Sequence, residues 1–246
     1  MRIPLTILLA VVLSTYAFVA PLSDDHVVDA NADAPVHFSL FVPIVAKSDT
    51  VENVTQFLTS AVPLVEAELK TVQWYAVKYT NFSTPTFAIF DTFRSEEGRV
   101  AHLNGKVASA LFDNADALLD GAPGIKPANI LASKVASKPD TGNATAGLTV
   151  GLTIPLTAKP GQVNATREVL VSVLPGIEQE ALTVDWYALE FPDTNSFAII
   201  VFFAIEEGRD AHLNGQVAAA LFASAETLLT ALPDVVEFEV VAVTIK

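Results

Sequence analysis

Two histidines occupy the same place in a duplicated stretch. His102 lies in EEGRVAHLNGKVASALF, residues 96–112, and His212 in EEGRDAHLNGQVAAALF, residues 206–222, with 14 of 17 positions identical. Imidazole is the natural proton acceptor near neutral pH. Arg99 and Arg209 stand three residues earlier, on the same helical side, where a guanidinium could hold an anionic oxygen. Asn104 and Asn214 follow two residues later and could donate to an oxyanion. Trp74, Tyr75, Trp186 and Tyr187 could supply aromatic walls. A base, polar donors and aromatic walls are parts that general-base proton transfer uses. Each feature also has a structural reading. The histidines could bridge helix and loop beside Glu96 or Glu97, the arginines could pair with surface acids, and the asparagines could cap a helix beside Gly105 and Gly215. The aromatics could be plain core. Duplication copies structural and catalytic residues alike. Asp91 has become Val201 in the second copy.

Composition narrows the classes. There is no cysteine, which excludes disulfides, thiolate metal sites and cysteine nucleophiles. Neither histidine has a ligand partner at zinc-like i, i+4 spacing, so no metal site is expected. Lys and Arg number 14 against 28 Asp and Glu, a net charge of −14. That field disfavours nucleic acid and anionic lipid surfaces. Residues 1–20 read as a secretory signal peptide: Arg2, an apolar run from Ile3 to Leu13, and small residues at Ala17 and Ala20 for cleavage. Residues 21–34 carry no periodicity. N-x-S/T sequons begin at Asn53, Asn81, Asn143 and Asn164, and behind a leader they suggest a secreted, extracellular glycoprotein.

The elements that must position the histidines are duplicated as well. A strand from Val36 to Lys47 precedes a helix from Thr50 to Leu69. Its apolar face is Val54, Phe57, Leu58, Ala61, Val65 and Leu69, and Pro63 should kink or split it. Thr71–Tyr79 and Thr86–Phe93 read as a hairpin. Ser95 caps the helix that carries His102, and Asn104-Gly105 should break that helix. A further helix leads to a strand from Ile125 to Ala136. Trp74 aligns with Trp186 at an offset of 112, and His102 with His212 at 110. The chain therefore divides into repeat 1 at 36–136, a linker at 137–146 and repeat 2 at 147–246. One βαββαβ unit is the ferredoxin-like arrangement, with both helices on one face of the sheet. The strands TVQWYAVKY and FAIIVFFAI are apolar on both faces, so the second face must also be buried. The expected fold is α+β: two ferredoxin-like repeats packed sheet to sheet as an intramolecular α+β barrel, a monomer acting as a pseudo-dimer.

Trp74-Tyr75-Ala76, Phe87-Ala88-Ile89-Phe90-Asp91, Glu97-Gly98-Arg99, Ala101-His102-Leu103, Gly105 and Val107-Ala108 resemble the antibiotic biosynthesis monooxygenase (ABM) domains, dimeric α+β barrel proteins. The quinol monooxygenase-like members are especially similar. The resemblance covers both repeats. Family members usually pair as homodimers of one domain, whereas this chain fuses two. The resemblance implies a pocket in each half between sheet and helices. It further implies cofactor-independent monooxygenase chemistry on a small phenolic or quinol-type molecule, in which the deprotonated substrate passes an electron to oxygen. Under that reading His102 and His212 are catalytic, and Trp74, Trp186, Tyr75, Tyr187, Arg99, Arg209, Asn104 and Asn214 contact substrate. The alternative is a non-catalytic secreted barrel that binds an apolar ligand or a protein partner.

Overall fold

The strands carry apolar side chains on both faces, and the layers follow from that. The computed structural model describes residues 35–137 and 144–246. The expected leader, residues 21–34, Asn143 and most of the linker lie outside them. The first half runs β1 (Phe38–Val45), α1 (Val51–Ser60), α2 (Val62–Glu66), β2 (Thr71–Tyr79), β3 (Thr86–Phe93), α3 (Glu96–Leu103), α4 (Lys106–Leu118) and β4 (Lys126–Val135). The second repeats the order as β5 (Val150–Thr157), α5 (Val163–Ser172), α6 (Leu174–Gln179), β6 (Thr183–Glu190), β7 (Ser196–Phe203), α7 (Glu206–Leu213), α8 (Gln216–Leu228) and β8 (Val236–Ile245).

The strands form one closed antiparallel barrel in the order β1-β3-β2-β8-β5-β7-β6-β4. The expected α+β barrel is thus present, and it closes by edge pairing as well as by packing of the two halves' sheets. β2 pairs with β8 and β4 with β6, so each half's edge strands hydrogen-bond to the other half's. A free edge exposes unpaired N–H and C=O groups, and closure removes all four. Three apolar clusters result. Tyr75, Phe90, Tyr187, Phe202 and Phe238 fill the barrel. Trp74, Leu40 and Phe87 pack under the first half's helices, and Trp186, Leu152 and Phe197 under the second's. Burying each Phe-sized side chain contributes about 1.5–3 kcal/mol. Gly151 is required here: a Cβ on it would lie 2.3 Å from the Phe238 ring and from the Val201 carbonyl.

Local signals act as their chemistry dictates. The expected long helix splits into α1 and α2, with Pro63 in the first turn of α2, where its missing N–H costs nothing. The apolar face therefore ends early, and Leu69 is left 85% exposed. Thr50 occupies the N-cap of α1, without a side-chain cap bond. Ser95 Oγ accepts from the Gly98 N–H at the start of α3. Asn104-Gly105 separates α3 from α4. Asn53, Asn81 and Asn164 are exposed.

Candidate functional site

α3 and α7 each hold their histidine inward, buried against a ring at the end of the preceding strand. His102 lies 5.5 Å from Phe93 and His212 lies 5.6 Å from Phe203. The partner on Nδ1 is a carboxylate from the turn before β2 or β6. Glu68 Oε2 stands 2.6 Å from His102 Nδ1, and Glu180 Oε2 stands 2.6 Å from His212 Nδ1. Thr71 and Thr183 donate to the same carboxylates at 2.8 and 2.7 Å. Burial works against a charged Glu180. The hydrogen bonds from His212 and Thr183 outweigh it and hold the carboxyl below its ordinary range. An ionised Glu180 fixes the tautomer: Nδ1–H donates to it, and the neutral imidazole presents its lone pair on Nε2.

On their other nitrogens the two histidines differ. His102 Nε2 lies 3.2 Å from Asp91 Oδ2, both groups being buried. The contact is an ion pair, and by geometric criteria neither Asp91 oxygen has a hydrogen-bond partner. Burial disfavours the charged imidazole, yet Asp91 and Glu68 together outweigh it and raise His102 to about 10. Burial also raises the Asp91 carboxyl, against the pull of His102. His102 is thus an imidazolium at neutral pH and has no lone pair to offer. In the second half Val201 stands where Asp91 does, opposite Trp186 in the ladder. Among the described residues His212 Nε2 has no hydrogen-bond partner.

The space around His212 differs as well. Behind it lies a cavity of about 20 Å³, lined by Ile154, Leu170, Trp186, Ile199 and Leu221. In front is an open groove of about 450 Å³, bordered by Gly176, Gln179, Glu180, Gly208 and Gly215. His212, Val173 and Val217 line both. Gly176 takes the place that Leu64 has in the first half, where Leu64 packs onto the outer core. No Lys or Arg borders the groove.

The other expected site residues are placed as follows. Trp74 and Trp186 line the cavities behind their histidines. Tyr75 and Tyr187 do not: they point into the barrel, their hydroxyls 2.7 Å apart, with Tyr75 donating to Asp185 at 2.9 Å. Burial, with the neighbouring Asp185, raises both phenols well above their ordinary range. Arg99 donates to Glu96 and to the Ser39 and Ala128 carbonyls, while Arg209 pairs with Glu206 and Glu237. Asn104 and Asn214 donate to the Val100 and Asp210 carbonyls at 2.8 Å, as helix-end residues. These side chains are taken up by structural partners. Sequence reasoning missed Glu68 and Glu180 and placed Glu96 or Glu97 beside the histidines instead. Their shared offset of 112, each three residues before a β-strand threonine, was the available signal. Among the described residues no cluster of three or more His, Asp or Glu side chains is arranged to hold a metal ion.

No protein-family model and no curated protein matches this chain. Solved structures do. A Fusobacterium nucleatum protein described as a "putative monooxygenase" superposes with a TM-score of 0.75 at 12% identity, covering 87% of this chain and 96% of its own. A second protein so described, from Lactobacillus acidophilus, gives 0.69 at 10% identity, over 86% of this chain and 97% of its own. An anthrone oxidase-like protein gives 0.57 at 9% identity, over 86% and 94%. At these identities the likeness establishes a shared fold, the mixed α+β barrel.

Proposed function

We propose that this chain is a cofactor-independent oxygenase of small neutral hydroxyarenes, built from two tandem ferredoxin-like ABM repeats fused into one barrel, with its working site in the second half only. One observation carries the reading: His212, oriented by Glu180, keeps Nε2 unpartnered, and its side chain lines both an open groove and an apolar cavity. The first half has the matching Glu68–His102 pair, but there Asp91 stands 3.2 Å from the histidine's other nitrogen. The oxygenase-related descriptions of three structures with this fold agree with that reading.

The chemistry follows from the geometry. A flat aromatic in the groove presents its hydroxyl to His212 Nε2, which takes the proton. Glu180 stabilises the imidazolium that forms. The resulting anion is electron-rich enough to pass one electron to dioxygen, and recombination of the radical pair forms a carbon–oxygen bond at the trigonal C–H carbon conjugated with that oxygen, whose hydrogen is lost with the water in the next step. The peroxide then loses water, its proton returned by His212. One oxygen atom remains as a carbonyl in place of two hydrogens and the other leaves as water, so no added reductant is needed. The groove's size falls in the usual range for small-molecule sites, roughly 300–1,000 Å³. Its single carboxylate and lack of cationic side chains favour an uncharged substrate. The leader-like sequence of residues 1–20 and the exposed sequons at Asn53, Asn81 and Asn164 favour secretion, and closure of the barrel within one chain favours a monomer.

Oxygen uptake with a panel of anthrones and hydroquinones tests this. His212→Ala loses about 10²-fold or more in turnover, whereas His102→Ala, with fold checked by circular dichroism, retains it. Equal loss in both would sink the assignment of the site to one half. A second reading has its own observation. A groove of about 470 Å³ beside Phe41, Phe191 and Pro192 suits an apolar ligand. Ligand binding there without oxygen uptake from any substrate would make the chain a binding protein.

A further inference from the structure

We infer that the small cavity behind His212 is a dry gas site that holds dioxygen, and that its counterpart in the first half is a water site. The oxygen role rests on the oxygenase reading above; the difference between the two cavities does not. Both cavities measure about 20 Å³, above the roughly 10–15 Å³ that one water needs. Size therefore does not separate them, and polarity does. A buried water is retained where it finds two to four polar partners, while an apolar cavity stays dry and takes apolar guests.

In the first half Asp91 and His102 line the space together with Trp74. Both carboxylate oxygens of Asp91 and the indole N–H of Trp74 are buried with no hydrogen-bond partner. Beyond the 3.2 Å ion pair of Asp91 Oδ2 with His102 Nε2, these groups have nothing to bond, and buried polar groups left so are costly. A single water could satisfy several of them at once. In the second half the exchange of Asp91 for Val201 removes the carboxylate. The only side chains with polar atoms in that lining are Trp186 and His212, among Ile154, Ile199 and Leu221. Such walls hold water poorly and suit a diatomic, apolar molecule that needs no hydrogen bond.

Position adds the functional point. His212 and Val217 form the partition between this cavity and the groove. A substrate deprotonated in the groove therefore has an electron acceptor stored one side chain away, and the oxygen passes between His212 and Val217 to reach the anion and form the carbon–oxygen bond. The reaction needs two reactants side by side, and the two spaces provide for both. The groove selects the aromatic and the cavity selects the gas.

Xenon is the probe for the cavity. Crystals of the whole protein under xenon pressure should show one xenon atom between the sheet and α8, with an ordered water in the first-half cavity. Asp91→Val should exchange that water for xenon, and Val201→Asp should remove xenon from the second half. Ordered water in the second-half cavity of the wild type, or xenon in neither half, overturns the gas site. Turnover supplies the separate arm. Ile199→Phe fills the cavity and should raise the KM for oxygen about tenfold while leaving the KM for the aromatic substrate unchanged. Xenon bound with an oxygen KM unmoved by Ile199→Phe overturns the oxygen role. Xenon bound in a protein that oxidises nothing leaves the dry cavity standing and removes the oxygenase reading and the oxygen role with it.

Discussion

Replacing Asp91 with valine, the residue that stands at 201, probes the inequality of the two histidines directly. In the folded chain burial opposes a charge on His102, and the Asp91 and Glu68 carboxylates override it, raising the imidazole from 6.5 to about 10. Between those values the folded state keeps a proton that the unfolded state has released. The folded pKa is the higher one. The stabilisation is therefore complete below pH 6.5 and is lost as pH rises through about 10. One proton of difference gives a slope of about 1.4 kcal/mol per pH unit. From pH 7 to pH 9 the unfolding free energy of the wild type should fall by about 2–3 kcal/mol through this group alone. Asp91→Val removes the larger of the two attractions and leaves only the Glu68 ion pair. The slope over the same interval should then shrink to less than half. The variant should fold, because Val201 fills the equivalent space and a buried ion pair is often replaceable by apolar packing. Urea unfolding at pH 7, 8 and 9, with an NMR titration of the His102 ring, reads both quantities. Equal slopes in the two proteins, or a wild-type ring that titrates near its ordinary value, would refute the reasoning.

Three further outcomes follow from the packing. Gly176→Leu introduces the first half's residue into the groove, where even a Cβ would lie 2.8 Å from Val217 Cγ2; aromatic-ligand binding followed by fluorescence should weaken at least tenfold with little change in far-UV circular dichroism. Lys134 reaches from β4 across to the second half and donates to the Ile177 and Glu180 carbonyls at 3.1 and 2.7 Å. Lys134→Met should cost about 1.5–3 kcal/mol, seen as a Tm lowered by roughly 3–12 °C, and an unchanged Tm would show that these bonds contribute nothing net. Gly151→Ala forces a methyl into the Phe238 ring and the Val201 carbonyl; a loss of about 1–3 kcal/mol or more in urea unfolding is expected, and a neutral result would mean that the barrel interior can yield there.

The two halves also support one another at their sites. Lys246, the counterpart of Lys134 at the end of β8, donates to the Val65 and Glu68 carbonyls in the first half. Each half's last strand thus pins the helix end that carries the other half's glutamate. Holding both halves in one chain keeps this exchange intact and lets the surroundings of His102 and His212 differ, which a homodimer of identical chains cannot do.

Much was written in local sequence. The duplicated stretch gave the paired histidines, the doubly apolar strands required burial on both faces, and Asn104-Gly105 and Pro63 broke their helices for backbone reasons that need no tertiary context. Periodicity and turn chemistry act over a few residues, so a linear reading reaches them. The rest depended on contacts between distant positions. Glu68 meets His102 across 34 residues, and Glu180 meets His212 across 32; no local pattern sets those distances. The strand alternation separated Trp74 from Tyr75, but only the closed barrel decided that the tyrosine side faces a filled interior. Closure through β2–β8 and β4–β6 likewise depends on which edges meet in space. The exchange of Asp91 for Val201 was visible in the sequence, yet its meaning was not. Only the fold puts that carboxylate against a histidine in one half and leaves the other histidine's nitrogen unpartnered, because the sign of a charge's effect is set by what it is buried beside.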